Sequence, residues 1–115
     1  MTCTLGNVRT LDLSYCNSLT VIRSLSDVVS LDISSCADIE EVIGLASVTT
    51  IKATGCHKLR VLSNLSSLES LNAENCIQLV EVSGISDSFT YLNMRGCSKL
   101  KGVNCLKKKI ILGAS

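Results

Sequence analysis

Cysteine is the residue of this chain with the widest chemical repertoire, and its spacing is regular. Cys16, Cys36, Cys56 and Cys76 are twenty residues apart, and Cys97 follows after twenty-one. Cys3 and Cys105 stand outside the series and bring the total to seven. Three chemistries could use such a set. A disulfide framework goes with an even count and a secretory route. Here the count is odd, and "MTCTLGNVRT" lacks the charged start and long apolar core of a signal peptide. Zinc ligands arrive as close pairs such as C-x2-C that converge tetrahedrally, and the chain holds no close pair. A catalytic thiol needs a base. The one histidine, His57, adjoins Cys56 in sequence, which sends the two side chains apart.

The remaining reactive types carry less. Asp12 and Asp32 repeat at the same spacing as the cysteines, and two close carboxylates can share a proton or an ion. Calcium wants six to eight oxygens, more than this pair supplies. The serines have no His and Asp in a triad arrangement, and the glycine-rich phosphate loops GxGxxG and GxxxxGK are absent. The residues therefore predict no catalytic site, no metal and no cofactor. The basic run "KLKGVNCLKKK", with Lys99, Lys101, Lys107, Lys108 and Lys109, reads as a solvated tail. A nucleic-acid site would interleave aromatics with more charge. The net charge is +1 and the aromatics are Tyr15, Phe89 and Tyr91 alone, so nucleic acid is not an expected partner. No apolar run approaches the roughly 18 residues of a membrane span, so no membrane role is expected either.

The cysteine spacing belongs to the whole chain. Leu11, Leu31, Ile51, Leu71 and Leu92 move with it, as do Leu13, Ile33, Ala53, Ala73 and Met94. After the cysteines come Leu19, Ile39, Leu59, Leu79 and Leu100, then Ile22, Val42, Leu62, Val82 and Val103, then Leu25, Leu45, Leu65, Ile85 and Leu106. Self-similarity at a period near twenty marks a solenoid in which each coil packs only on its neighbours. Within a coil the apolar residues step once by two and otherwise by three. The step of two predicts a short strand with alternating faces. The steps of three predict polyproline-like or 3₁₀ backbone, and twenty residues leave little room for an α-helix.

Leu11-x-Leu13-x-x-Cys16-x-x-Leu19, repeated as Leu31-x-Ile33-x-x-Cys36-x-x-Ile39 and onward, resembles the leucine-rich repeat L-x-x-L-x-L-x-x-N/C-x-L. One extra residue separates the cysteine from the next leucine, as in cysteine-containing variants. The phrases "LDLSYCNSL" and "LNMRGCSKL" also resemble the short repeats of trypanosome leucine-rich-repeat proteins. The resemblance implies a right-handed solenoid with a parallel sheet on a concave face, a short 3₁₀ or irregular convex side, and little or no α-helix. It also implies an interaction role inside the cell. One domain over 1–115 is expected, with coils at about 8–27, 28–47, 48–67, 68–88 and 89–109 and partial repeats at both ends.

In such a solenoid the column cysteines turn the chain after the strand, lie buried, and offer a weak S–H donor to a neighbouring backbone carbonyl. Stacked at about 4.8 Å, they are close enough that distance alone does not exclude a bridge. Cys105 is the thiol expected to face outward, and buried free thiols point to a reducing compartment, cytoplasmic or nuclear. Function is expected on the residues that alternate with the strand leucines. These are Asp12, Asp32, Lys52, Asn72 and Asn93 in one line, with Glu74, Tyr91 and Arg95 beside them. Tyr and Arg are the types that dominate protein interfaces, which makes the Tyr91 and Arg95 end the expected centre of a protein-binding face. Two alternatives stand beside it: a fragment of a longer array without a function of its own, and a unit that self-associates end to end through uncapped edges.

Overall fold

The computed structural model describes residues 2–3, 9–23, 27–85, 89–100 and 111–112. It is a parallel β-solenoid, and the described residues include no helix. Two kinds of short strand alternate along the chain. β2 (Thr10–Asp12), β4 (Ser30–Asp32), β6 (Thr50–Lys52), β8 (Ser70–Asn72) and β10 (Tyr91–Asn93) lie side by side in one sheet. β11 (Ile111–Leu112) adds a sixth strand beyond β10. β1 (Thr2–Cys3), β3 (Val21–Arg23), β5 (Glu41–Ile43), β7 (Val61–Ser63) and β9 (Glu81–Ser83) form a second sheet. Every pairing is parallel.

The second sheet corrects the expected irregular return. Each of its strands is three residues long at most, and its middle residue alone points inward: Ile22, Val42, Leu62 and Val82 are buried. A strand with one inward side chain cannot show a period of two. Its neighbours in the apolar pattern therefore lie three away on either side, and the steps of three imitate a polyproline rhythm.

Register is in line throughout. Leu11 sits beside Leu31, Leu31 beside Ile51, Ile51 beside Leu71, and Leu71 beside Leu92. The repeat columns of the sequence are thus physical columns. Between the sheets, Val28, Leu31, Ile33, Cys36, Ile39, Val42 and Leu45 of a single coil are all at 0% exposure, and no polar or charged residue is buried among the described residues. Leu11, Leu13 and Cys16 of the first described coil are partly exposed although their counterparts in the inner coils are buried. Burial comes from having a coil on both sides, as the stacking of repeats requires.

The turn after each first-sheet strand needs one residue in the left-handed region, immediately before the cysteine. Tyr15 (φ 64°), Ser35 (60°), Gly55 (74°), Asn75 (63°) and Gly96 (82°) fill it in successive coils. Glycine takes that conformation freely and asparagine tolerates it. The column reads Tyr, Ser, Gly, Asn, Gly, and its glycines and asparagine are the trace that the turn left in the sequence.

Candidate functional site

The cysteine column is a ladder of thiol hydrogen bonds along the solenoid axis. The Sγ of Cys36 donates to the Leu13 carbonyl at 3.0 Å, Cys56 to Ile33 at 2.9 Å, Cys76 to Ala53 at 3.0 Å and Cys97 to Ala73 at 3.1 Å. Each donor reaches into the preceding coil. Each accepting carbonyl also takes the backbone N–H of the cysteine in its own coil: Cys16 on Leu13, Cys36 on Ile33, Cys56 on Ala53 and Cys76 on Ala73. A carbonyl has two lone pairs, and both are in use. The expected role of the thiol as a donor to a neighbouring carbonyl is what the geometry displays. The five column thiols are free rather than bridged. Cys3 and Cys105 lie outside the residues whose side chains are described.

Along the ladder the thiols do not all ionise alike: the side-chain hydrogen bond with Cys76 lowers Cys56, whereas three others are raised. Burial pushes Cys36 up from its ordinary 9.0 to about 11 and also raises Cys97. The neighbouring Cys56 thiol, together with burial, raises Cys76. At Cys36 the folded state therefore holds the proton above the pH at which the unfolded chain releases it. The stability this confers is full below pH 9 and is lost as pH rises toward about 11. The urea midpoint is expected to stay level up to pH 9 and to fall between pH 9 and 11, with a shallower fall in Cys36→Ala. Peptide-level alkylation of the native protein at pH 8 should modify the half-buried Cys16 well before Cys36, Cys56, Cys76 and Cys97. Equal rates at all five would contradict the ladder.

The outward face of the first sheet carries the other candidates. Thr10, Ser30, Thr50, Ser70 and Tyr91 form one register line, and Asp12, Asp32, Lys52, Asn72 and Asn93 form the next. Four of the second line are tied to their own turns. The Oδ1 of Asp12 accepts the Ser14 N–H at 2.9 Å and the Ser14 hydroxyl at 2.6 Å. Asp32 accepts from the N–H of Ser34 at 2.9 Å, Asn72 from Glu74 at 3.1 Å and Asn93 from Arg95 at 3.1 Å. Such side-chain turns are the usual work of Asp and Asn two residues before a bend. The Ser14 hydroxyl, then its N–H, hold the Asp12 carboxyl below the usual range, and Lys52 contributes least.

Lys52 interrupts the line of turn formers and is exposed. Glu74 lies in the turn that follows β8, and Arg95 at a bridge position just after β10; Arg95 is exposed, and Tyr91 and Glu74 are half-buried. The fold thus places Tyr91, Arg95 and Glu74 toward one end of the face and Asp12 and Asp32 toward the other, with Lys52 midway between them. Of the eight sequence candidates, Tyr91, Arg95, Glu74 and Lys52 are the four whose side chains do not accept in an Asx turn, although the N–H groups of Glu74 and Arg95 donate in two of them.

Sequence reasoning missed the opposite face. There Arg60 pairs with Glu41 at 3.1 Å and Lys58 with Asp38 at 3.3 Å, each joining neighbouring coils at the surface. Lys99 makes a similar rung by donating to the side-chain Oε1 of Gln78 at 2.7 Å. The polar residues at the twenty-residue spacing were the available signal. An open hollow of about 300 Å³ lies away from the Tyr91 end, lined by Arg9, Asp27, Val29 and Ser47. Among the described residues, no group of three His, Cys, Asp or Glu side chains comes together as a metal site, and no helix is long and apolar enough to cross a membrane. The lysines from Lys101 to Lys109 lie outside the described residues. No family model, no curated protein and no solved structure matches the chain.

Proposed function

We propose that the chain is a leucine-rich-repeat solenoid that binds a protein partner on the outward face of its first sheet, without catalysis. The observation that carries this reading is the contrast along that face. Asp12, Asp32, Asn72 and Asn93 each commit a side-chain oxygen to their own turn, whereas the side chains of Tyr91, Arg95, Glu74 and Lys52 are not engaged in this way. Interfaces draw most of their energy from a few Tyr and Arg residues in a setting of near-neutral contacts, and small Ser and Thr side chains supply that setting here. The leucine-rich assignment is supported by the in-line leucine columns and the thiol ladder, the place where the repeat consensus accepts Asn or Cys. Free thiols in five successive coils support a reducing, intracellular setting.

The test is capture on the immobilised protein followed by quantitative mass spectrometry. Three forms are compared: wild type, the double variant Tyr91→Ala/Arg95→Ala, and Glu81→Ala on the second sheet as a control. Proteins retained by wild type and by Glu81→Ala are expected to fall at least tenfold on the double variant, with circular dichroism unchanged. Equal retention by all three would move the binding surface off this face.

A further inference from the structure

Within the thiol ladder, Cys56 and Cys76 form a pair set apart from the rest. They stand in consecutive inner coils, where Ile51 lies beside Leu71 and Lys52 beside Asn72. Carried forward through the two turns, the same register sets Cys56 beside Cys76. The ladder agrees: Cys76 donates at 3.0 Å to the Ala53 carbonyl, which also takes the Cys56 N–H. Neighbouring parallel strands lie about 4.8 Å apart, inside the roughly 4.4–6.8 Å that a disulfide spans between Cα atoms. The two thiols also meet each other. A side-chain hydrogen bond between them draws Cys56 below its ordinary value and holds Cys76 above it. Cys36 and Cys97 answer chiefly to burial instead.

A bridge would require Cys56 to lean toward its neighbour, and its turn is the loosest of the column. The Cys56 N–H reaches the Ala53 carbonyl at 3.4 Å, against 3.1 Å for the equivalent bond at Cys16 and Cys36 and 3.2 Å at Cys76 and Cys97. Gly55 precedes Cys56, and the nearest atom to a Cβ placed there is 3.7 Å away, so the backbone has room; Gly96, before Cys97, stands hard against Asn75. We propose that Cys56 and Cys76 are a modification site, joined by a reversible disulfide when the protein meets a hydroperoxide. The Cys56 sulfur attacks one peroxide oxygen, the O–O bond breaks, and Cys56 sulfenic acid and water result. The Cys76 sulfur then attacks the Cys56 sulfur and the S–O bond breaks. The departing hydroxyl takes the Cys76 thiol proton as a second water. The two thiols lose two electrons and one peroxide becomes two waters. Both thiols are at 0% exposure, which favours a neutral oxidant close to water in size over bulky reagents. The bridge removes two S–H donors but orphans no carbonyl, because Ile33 keeps the Cys36 N–H and Ala53 keeps the Cys56 N–H. It fastens two consecutive coils from inside the stack and does not depend on the partner-binding reading of the face.

The experiment treats the native protein with hydrogen peroxide, stops the reaction with catalase, blocks remaining thiols with N-ethylmaleimide in denaturant, and digests with trypsin without reduction. The Lys and Arg positions put Cys16 in peptide 10–23, Cys36 in 24–52, Cys56 in 53–58, Cys76 in 61–95 and Cys97 in 96–99, so every pairing has its own mass. Peptides 53–58 and 61–95 are expected to appear joined, lighter than their sum by two hydrogens, as the main link within the column. Dithiothreitol should release them. In Cys76→Ser the link disappears, and dimedone is expected to trap Cys56 as the sulfenic acid. If that variant does not fold by circular dichroism, the wild-type map decides alone. Oxidation of the half-buried Cys16 shows that the dose was sufficient. At that dose, unlinked 53–58 and 61–95 overturn the proposal, and so does a main link from 24–52 to 53–58 or from 61–95 to 96–99.

Discussion

Leu71→Asp is expected to abolish the cooperative unfolding transition, while Ser70→Asp next to it leaves the transition within a few degrees of wild type. Leu71 is at 0% exposure and stands in register between Ile51 and Leu92, both also at 0%. Removing the leucine side chain alone costs about 2–5 kcal/mol in a packed interior. A carboxylate there would find no buried polar residue to meet it among the described ones, and an unpaired buried charge adds several kcal/mol more. The sum is of the order of the whole stability of a typical domain, about 5–15 kcal/mol. In a solenoid the damage is also shared, because β8 loses its packing on the coil before and the coil after at once. Ser70 occupies the same strand one residue earlier and points to the other face. A surface substitution of that kind stays within about 0.5 kcal/mol. Thermal unfolding by circular dichroism reads both variants. If Leu71→Asp melts like wild type, or if the two variants are equally damaging, the register is wrong, because a slip of one residue exchanges the two faces.

Gly84→Ala is expected to be the most costly of the single-methyl substitutions, and Gly55→Ala a mild one. Both glycines have positive φ, +68° and +74°. A Cβ in that conformation costs roughly 1–2 kcal/mol in either place. Their surroundings differ. At Gly84 the new carbon would lie 2.7 Å from the backbone nitrogen of Asn64 and 2.9 Å from its Cα, in the coil before. Backbone cannot rotate out of the way, so two coils must separate locally, at about 1–3 kcal/mol beyond the conformational cost. At Gly55 the nearest atom is the Ser35 hydroxyl at 3.7 Å, an ordinary contact. The two variants should therefore differ by about 1–3 kcal/mol, read as urea midpoints at constant m-value. Equal losses would mean that strain at φ sets the cost and that the coils are not in close contact at Gly84.

These two experiments touch the parts of the fold that the sequence shows well and badly. The inward columns were legible because burial on both sides by identical neighbours forces one residue class at each position, coil after coil. The strand β4 could be read from the step of two between Leu31 and Ile33. The strand at Glu41 to Ile43 could not, since Val42 is its one inward residue and three residues are too few to show alternation. The position before each cysteine hid for another reason. Its requirement is conformational rather than hydrophobic, and Tyr15 and Ser35 satisfy it at φ of 64° and 60° without being glycine.

The candidate face divides in the same way. That Asp12, Asp32, Lys52, Asn72 and Asn93 share one line followed from the period alone. That four of them spend an oxygen on the turn two residues ahead did not, because the same Asp or Asn could serve a turn or a partner. What the sequence determined by itself is the period, the inward columns and the thiol column, since stacking makes each position obey one constraint repeated along the chain. What only the tertiary structure decided is the second sheet, the commitment of side chains to turns, and the left-handed residue before each cysteine. Those depend on how far a strand runs before it bends and on the backbone conformation that the bend requires.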